Sequence, residues 1–524
     1  MPKSFNVTGL CIPDKHYMAN VTDKINKIIS YIKKDQYFTI NRARQYGKTT
    51  TLYLLEQQLR SDYLIINISF EGISEAAFAT EAGFVQNFLI SSGIRLRQNG
   101  VPEDICEKWE EGMDNSSIMK LNLKITSLLG SLDKEVILMI DEVDKSSNNQ
   151  LFLDFLGMLR LKYLDREARK DISFKSVILV SVYDVKNLKL KLRPDSVHQY
   201  NSPWNIAADF TVDMELNRKE IRSMLSDYSQ EHDDVLIDID RIADQIYEYS
   251  SGYPYLVSAI CKITDEEILP AQNDKWNGET TRKAVKLLLQ RENTLFDDLK
   301  KKLTDHKDLY ELIYRIIVLG YTQVYSVMND TINLGIRFGI LTINEKKQRL
   351  VQVSNIIFET LIYDFIMARD VESRIHESYK ERTPYISDTG ELRMDVVLQK
   401  FADFMYEEYR KSDAGFLEKQ GRLLFLAFLK PIINGIGHYA VEAQTRSNIR
   451  MDIVIFYGGK KYIVELKLWH GSKKEKESYE QLLKYMDAQK QQEGYLIHFQ
   501  SNIKQREKIR KILIGESTIY EVLV

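Results

Sequence analysis

The stretch YFTINRARQYGKTTTLYLL, Tyr37 to Leu55, changes its apolar period halfway along. Tyr37, Phe38, Thr39 and Ile40 form a β-rich run, and Arg42 to Lys48 is polar and ends in Gly47-Lys48-Thr49. Leu52, Leu55 and Leu59 then fall on one helical face. Strand, polar loop and helix in that order make a phosphate-gripping unit. Backbone N–H groups and the helix N-terminus hold phosphate, the lysine reaches the β and γ phosphates, and the threonine hydroxyl ligates Mg²⁺. Arg44, Gln45, Tyr46, Gly47, Lys48, Thr49 and Thr50 are therefore the candidate nucleotide contacts, with ATP and Mg²⁺ as the implied cofactors. The pattern G-x-x-x-x-G-K-[ST] asks for glycine where this chain has Arg42. An arginine does not easily take a positive φ, and Gly-Lys-Thr alone is equally an ordinary lysine near a helix cap.

A second motif decides between these. Residues 135–144, EVILMIDEVD, are an apolar strand ending in adjacent carboxylates. Asp141 at that end would hold Mg²⁺ through water, and Glu142 would polarise the attacking water. The competing reading is a buried strand capped by solvated acids. Tyr63–Phe70 and Ser176–Tyr183 are further apolar strands, and Ser181 stands where a γ-phosphate sensor would sit. Strands separated by helices, with nucleotide groups at their C-terminal ends, imply a parallel α/β sheet.

At 524 residues the chain is too long for one core and should divide into several domains. Its 72 basic and 75 acidic residues leave a formal charge of -3, so nucleic-acid contact must come from local patches rather than a global basic field. Cys11, Cys106 and Cys261 are far apart and lack metal-ligand spacing, which suggests a reducing compartment. No charged-then-apolar leader opens the chain, and no apolar run approaches the roughly 18 residues of a membrane span. These features imply a cytoplasmic protein without a membrane partner.

Val21 to Ile32 reads as a helix with Ile25, Ile28, Ile29 and Ile32 on one stripe. His16 and Tyr17 precede it, either flanking an adenine or making ordinary loop contacts. Lys186, Lys189, Lys191 and Arg193 form a short basic cluster, either solvated surface or a trans-acting patch; Arg42, Arg44 and Arg193 are candidate arginine fingers. Asn217 with Glu220 forms a capping box opening a helical lid, broken at residues 250–254, SSGYP. Helices after Leu309, then apolar runs at 339–343 and 349–353 around a charged turn, suggest a winged-helix unit that packs or binds DNA. The expected division is 1–215 for the ATPase, 216–300 for the lid, 301–370 for the winged-helix-like unit, 371–412 for a linker and 413–524 for a last domain.

That last domain contains residues 451–468, MDIVIFYGGKKYIVELKL. Two β-rich runs flank Gly458-Gly459, a two-residue hairpin turn. With those glycines as the loop, Tyr457 faces Lys460 and Asp452 faces Glu465. Directly opposed residues have Cβ atoms about 4.5–5.5 Å apart, where like charges repel unless neutralised. A divalent cation would neutralise them, and period-2 alternation adds Lys467 to the same face. Such a group can bind Mg²⁺, activate water and stabilise a pentacovalent phosphate. The alternative is a structural cluster in which Lys467 neutralises both acids. A helix over 414–432 carries Glu418, a further candidate metal ligand, and a helix over 477–491 carries Gln481 and Tyr485 one turn apart.

Asp452 and Glu465-Leu466-Lys467, between helices bearing Glu418 and Gln481, resemble the PD-(D/E)XK nuclease-like superfamily. The first two thirds resemble bacterial AAA-like ATPases whose phosphate loop has the form R-x-R-x-[FY]-G-K-[ST], here Arg42 to Thr49. The resemblance implies a P-loop NTPase parallel sheet with helical lid and winged-helix-like unit, plus a C-terminal α/β restriction-endonuclease-like domain. It carries Lys48, Thr49, Asp141 and Glu142 over as the nucleotide site and Asp452, Glu465 and Lys467 as the nuclease core. The expected activity is a Mg²⁺-dependent nuclease gated by ATP, with nucleic acid, DNA by preference, as partner; a homo-oligomer is left open. The rival is a nucleotide-switched regulator or nucleic-acid-binding protein that does not cleave.

Overall fold

The computed structural model describes residues 3–73, 77, 79–111, 117–143, 150–182, 185, 203–271, 275–317, 323–345, 348–370, 385–387, 391–409, 421–422, 424–426, 428–429, 432–433, 438–444, 450–457, 460–469, 472–500 and 508–524. The chain forms two compact units. The first comprises Met1–Tyr247, Ser251–Asn277 and Arg337–Gly339; the second comprises Glu248–Ser250, Gly278–Ile336 and Ile340–Val524.

The first unit is built on strands β1 (Phe38–Asn41), β2 (Leu64–Ser69), β3 (Val136–Asp141) and β4 (Ser176–Ser181). All pair in parallel in the order β1-β4-β3-β2. Their apolar runs alternate between two cores, as a sheet covered on both faces requires. Leu138, Ile140, Val177 and Leu179 enter one core with α3 (Glu81–Gln98), α5 (Ile118–Gly130) and α6 (Gln150–Glu167); α4 (Glu103–Glu110) adds Cys106 and Trp109. Ile137, Met139, Ile178 and Val180 face the other, which α1 (Thr22–Lys33) and α2 (Lys48–Leu59) cover with the isoleucine stripe and Leu52, Leu55 and Leu59. Because the strands are parallel, Asn41, Ser69, Asp141 and Ser181 end at one edge, with Asn41 paired to Ser181 and Ser69 to Asp141.

The sheet is followed by α7 (Arg218–Glu231), α8 (Ile239–Ser250), whose last three residues belong to the second unit, and α9 (Pro254–Ile263), with the short pair β5 (Leu236–Ile237) and β6 (Lys275–Trp276). The capping box forms: the Asn217 side chain accepts from Glu220 N–H, and Glu220 Oε2 accepts from Asn217 N–H. In the break after α8, Gly252 has φ +77°, and a Cβ there would stand 1.9 Å from the Leu216 carbonyl oxygen. Only glycine permits that approach, across which Leu216 N–H donates to Gly252 O at 2.7 Å.

In the second unit α10 (Gly278–Leu289), α11 (Thr294–Asp305), α12 (Lys307–Ile317) and α13 (Asp330–Arg337), whose last residue belongs to the first unit, precede a small sheet. Its strands β7 (Gln323–Val324), β8 (Leu341–Asn344) and β9 (Leu350–Val353) pair antiparallel in the order β7-β9-β8. The helices thus precede the β8–β9 hairpin in the chain. Helices α14 (Ile356–Asp370) and α15 (Met394–Tyr409) lead to a six-stranded mixed sheet, β10-β11-β12-β13-β15-β14. Its strands are β10 (His438–Gln444), β11 (Arg450–Tyr457), β12 (Lys460–Leu468), β13 (Glu493–Phe499), β14 (Arg510–Ile514) and β15 (Ser517–Leu523). The hairpin has the expected register, with Tyr457 opposite Lys460 and Ile453 opposite Val464; Gly458-Gly459 lies outside the described residues. Strands β10, β13, β14 and β15 were not anticipated. Helix α16 (Ser472–Gln489) lays Leu482, Tyr485 and Met486 over Val454, Ile463, Leu496 and Ile519. Among the described residues no helix is long and apolar enough to cross a membrane.

Candidate functional site

The loop between β1 and α2 takes left-handed backbone at Gln45 (φ 59°) and Gly47 (φ 72°) and not at Arg42. The glycine missing from the motif is therefore not needed for this loop's conformation. The Arg42 guanidinium instead donates to the Asn41 and Val212 carbonyls, the latter at 3.0 Å, and lies over the Phe210 ring, so it is tied into its own unit. Lys48 is buried, and its Nζ donates to the Arg42 and Ala43 carbonyls at 2.9 Å each. Its ammonium thus sits inside the loop, where an anionic ligand would meet it.

Thr49 Oγ1 donates to Asp141 Oδ2 at 2.9 Å, and Glu142 N–H donates to Asp141 Oδ1 at 2.9 Å. The hydroxyl and carboxylate that sequence assigns to Mg²⁺ are therefore adjacent, although 92 positions apart. Glu142 itself is left-handed (φ 55°), which turns the chain sharply at the strand end. Thr50 Oγ1 accepts from Cys11 N–H and fixes the N-terminal segment to the loop. Ser181 is buried beside the loop, and its carbonyl accepts from Arg42 N–H at 3.1 Å.

Two tyrosines hold the loop from outside. Tyr46 is buried, its hydroxyl donating to Glu215 at 3.1 Å; burial, then Tyr253, pushes its pKa far above the usual tyrosine value. Tyr253, from the SSGYP break, packs edge-on against Tyr46 at 4.4 Å and donates its hydroxyl to Arg44 O at 2.6 Å. Tyr17 is taken up in an aromatic core with Phe5 and Tyr228, its hydroxyl bonded to Glu231. His16 Nδ1 accepts from Ile12 N–H.

In the C-terminal sheet the expected triad converges. Glu465 is fully buried, with Lys467 Nζ 2.8 Å from Oε1. Neither carboxylate oxygen makes a well-aligned hydrogen bond among the described residues. Burial, reinforced by Asp452 and opposed by Lys467, raises its pKa to about 7. Burial works against the Lys467 ammonium, but Glu465 and then Asp452 outweigh it, and the Lys467 pKa rises. Asp452 Oδ2 accepts from Leu466 N–H at 2.9 Å, and Arg422 approaches Oδ1 at 3.6 Å. Gln481 donates to the Tyr485 hydroxyl beneath the cluster. Among the described residues no group of three or more His, Cys, Asp or Glu side chains could hold a metal ion. Two carboxylates do meet, however, and the Glu465 oxygens suit a hard cation.

Glu418 lies outside the described residues, as do Lys186, Lys189, Lys191 and Arg193. Sequence reasoning missed Arg422 and Tyr253, whose partners are distant in the chain. It also missed a buried pair beside the triad: His498 faces Lys467 across β12 and β13, and its Nδ1 lies 2.7 Å from Glu521. Tyr479 and Arg510 also bind that glutamate.

A parallel sheet with β4 between the Gly-Lys-Thr strand and the Asp-Glu strand is that of a P-loop ATPase-like domain, and the mixed sheet carrying Asp452, Glu465 and Lys467 is nuclease-like. Residues 16–273 match the family described as AAA-like domain, and residues 438–512 match the PD-(D/E)XK nuclease superfamily. The chain therefore joins an AAA-like domain to a PD-(D/E)XK nuclease superfamily domain. Comparison with curated proteins finds no match. Among solved structures, a Walker-type ATPase of Pyrococcus abyssi is 10% identical with a TM-score of 0.47, over 68% of this chain and 99% of that one. The Holliday junction branch migration motor RuvB of Thermotoga maritima is 14% identical (TM-score 0.33, 67% of this chain and 94% of that one). The ORC1 protein of Aeropyrum pernix, solved in complex with DNA, is 12% identical (TM-score 0.32, 66% of this chain and 93% of that one).

Proposed function

We propose that this protein binds and hydrolyses ATP with Mg²⁺ in its AAA-like domain and cleaves nucleic-acid phosphodiesters, DNA by preference, in its PD-(D/E)XK domain, the nucleotide state gating cleavage. The observation that carries the nuclease reading is the buried Glu465 carboxylate, with Lys467 Nζ 2.8 Å away and Asp452 acting on its charge. Buried carboxylate oxygens are rarely left without a donor. When bound there, Mg²⁺ supplies Lewis-acid polarisation of the phosphate and a more acidic water. Asp452 and Glu465 present the carboxylate oxygens that hold it. Lys467 opposes the rise in the Glu465 pKa and faces the charge that develops on the phosphate.

At the first site Lys48, now bonded to the Arg42 and Ala43 carbonyls, would meet the phosphate oxygens, Thr49 and Asp141 would hold the metal, and Glu142 would orient water. The stretch Arg44 to Thr50 supplies the remaining loop contacts. Gating is supported by the path of the chain. Gly339, packed in the first unit where a Cβ would lie 3.0 Å from the Tyr46 ring, runs directly into Ile340 of the second unit. The division into segments 1–215, 216–300, 301–370, 371–412 and 413–524 belongs to this proposal, as does a cytoplasmic, bacterial setting.

The test is cleavage of DNA by the purified full-length chain with Mg²⁺, with and without ATP. Asp452→Ala should abolish cleavage and spare ATP binding. Lys48→Ala should weaken ATP binding by roughly 30- to 100-fold, as loss of a charge-assisted contact does. Unchanged cleavage by Asp452→Ala would sink the nuclease assignment, and binding of DNA and ATP without cleavage under varied metals would favour a switched regulator.

A further inference from the structure

Arg422 stands between two electronegative groups of the second unit. One guanidinium nitrogen, Nη2, is 3.6 Å from Asp452 Oδ1, and the other, Nη1, donates to Ile317 O at 3.2 Å. Ile317 ends α12, and its carbonyl also accepts from the Tyr363 hydroxyl at 2.6 Å. Carbonyls at a helix C-terminus carry partial negative charge and attract cations. The Arg422 side chain is 17% exposed and that of Asp452 20%, so the pair is shielded from solvent more than a surface ion pair is. Asp452 already spends Oδ2 on Leu466 N–H. Oδ1 is thus its free coordinating position, and the guanidinium faces it.

Resting on the nuclease reading above, we infer that Arg422 is an internal cation that holds Asp452 Oδ1 in the metal-free protein and competes with the divalent metal for it. Its second anchor ties that competition to the last turn of α12 in the winged-helix-like unit. While the α12 end keeps its hold on Nη1, as it does here, only Nη2 faces Asp452, at 3.6 Å, and a metal has that one contact to displace. When that hold is lost, the guanidinium closes further on the carboxylate and competes more strongly with the metal. Arg422 is a positioning residue here: it acts on the metal site through Asp452.

The test is Mn²⁺ binding to the nucleotide-free full-length chain, read by the loss of free-ion signal in electron paramagnetic resonance. Asp452→Asn identifies the site by abolishing it. Arg422→Gln should bind Mn²⁺ about five- to tenfold more tightly than wild type, the scale of one partly shielded ion pair. Arg422→Lys keeps the charge and should stay within about twofold of wild type, a rescue that loss of packing alone would not give. Arg422→Ala carries the same expectation as Arg422→Gln and serves if the latter fails to fold. In an Asp452→Asn background Arg422→Gln should change nothing. Equal or weaker Mn²⁺ binding by both Arg422→Gln and Arg422→Ala, with the Asp452 site intact, overturns the inference alone. Undiminished Mn²⁺ binding by Asp452→Asn overturns the metal site on which it rests.

Discussion

Substituting Glu465→Gln tests the electrostatics of the C-terminal site without reference to any substrate. The carboxyl is fully buried, and burial followed by Asp452 raises its pKa from 4.5 to about 7. The folded protein therefore keeps a proton that the unfolded chain gives up near pH 4.5. Below that value both states are protonated and the group is neutral to stability. As pH rises from 4.5 to 7 the unfolded state gains progressively, and above 7 the cost is constant. The difference between the two values corresponds to about 3 kcal/mol. Lys467 already acts on that value as a lowering influence, so its attraction is not added again.

Glutamine keeps the shape and removes the titration. In EDTA, Glu465→Gln should match wild type to within a constant offset at pH 4.5 and gain about 2–3 kcal/mol on it by pH 8. Because the chain has two units, the measurement must be local: hydrogen exchange of peptides covering β12 and β13, compared between variant and wild type at each pH. Saturating Mg²⁺ should restore the wild type and do little for the variant. A difference that stays flat between pH 5 and 8, or a wild type that gains on the variant as pH rises, would refute the assignment of Glu465 as a buried, electrostatically strained carboxylate.

Two further substitutions address the first unit. Gly252→Ala forces a Cβ to 1.9 Å from Leu216 O at a φ of +77°, and should cost about 3 kcal/mol or more, seen as a fall of several degrees in the thermal midpoint of the nucleotide-binding unit. Tyr253→Phe removes the donor to Arg44 O while keeping the ring against Tyr46. About 1 kcal/mol is lost from the loop, and ATP affinity should fall roughly fivefold with the thermal midpoint nearly unchanged. An unaltered affinity would mean that the loop does not depend on this brace.

The parts of the fold that were legible in the sequence are those set by local period and by register. The runs that became β1 to β4 are apolar on both faces, so a covered parallel sheet was the available solution, and the isoleucines of α1 named their own buried stripe. The hairpin register followed from a two-residue turn as far as Ile453 opposite Val464, and Asp452 acts on Glu465 one position beyond it. Strands β13 and β15 were not legible. Each is a short, mostly buried run that periodicity cannot separate from a piece of buried helix, and their pairing to β12 depends on chain far away.

The Arg42 position shows why a motif and the physics beneath it have to be kept apart. Glycine is demanded of a phosphate loop where the backbone must turn left-handed, and this loop makes that turn at Gln45 and Gly47. Arg42 is then free to use its side chain, and it anchors the loop to Val212 and to the Phe210 ring. The same reasoning applies to the second site. Sequence spacing brings two carboxylates and a lysine to one face, but only burial raises the Glu465 pKa, and only the approach of Arg422 sets what a metal must displace at Asp452. Those are contacts between residues tens of positions apart, formed by packing rather than pattern. The substitutions at Glu465 and Arg422 therefore probe what the motif leaves unsaid: the first measures the cost of the buried charge, the second the cation that offsets its neighbour.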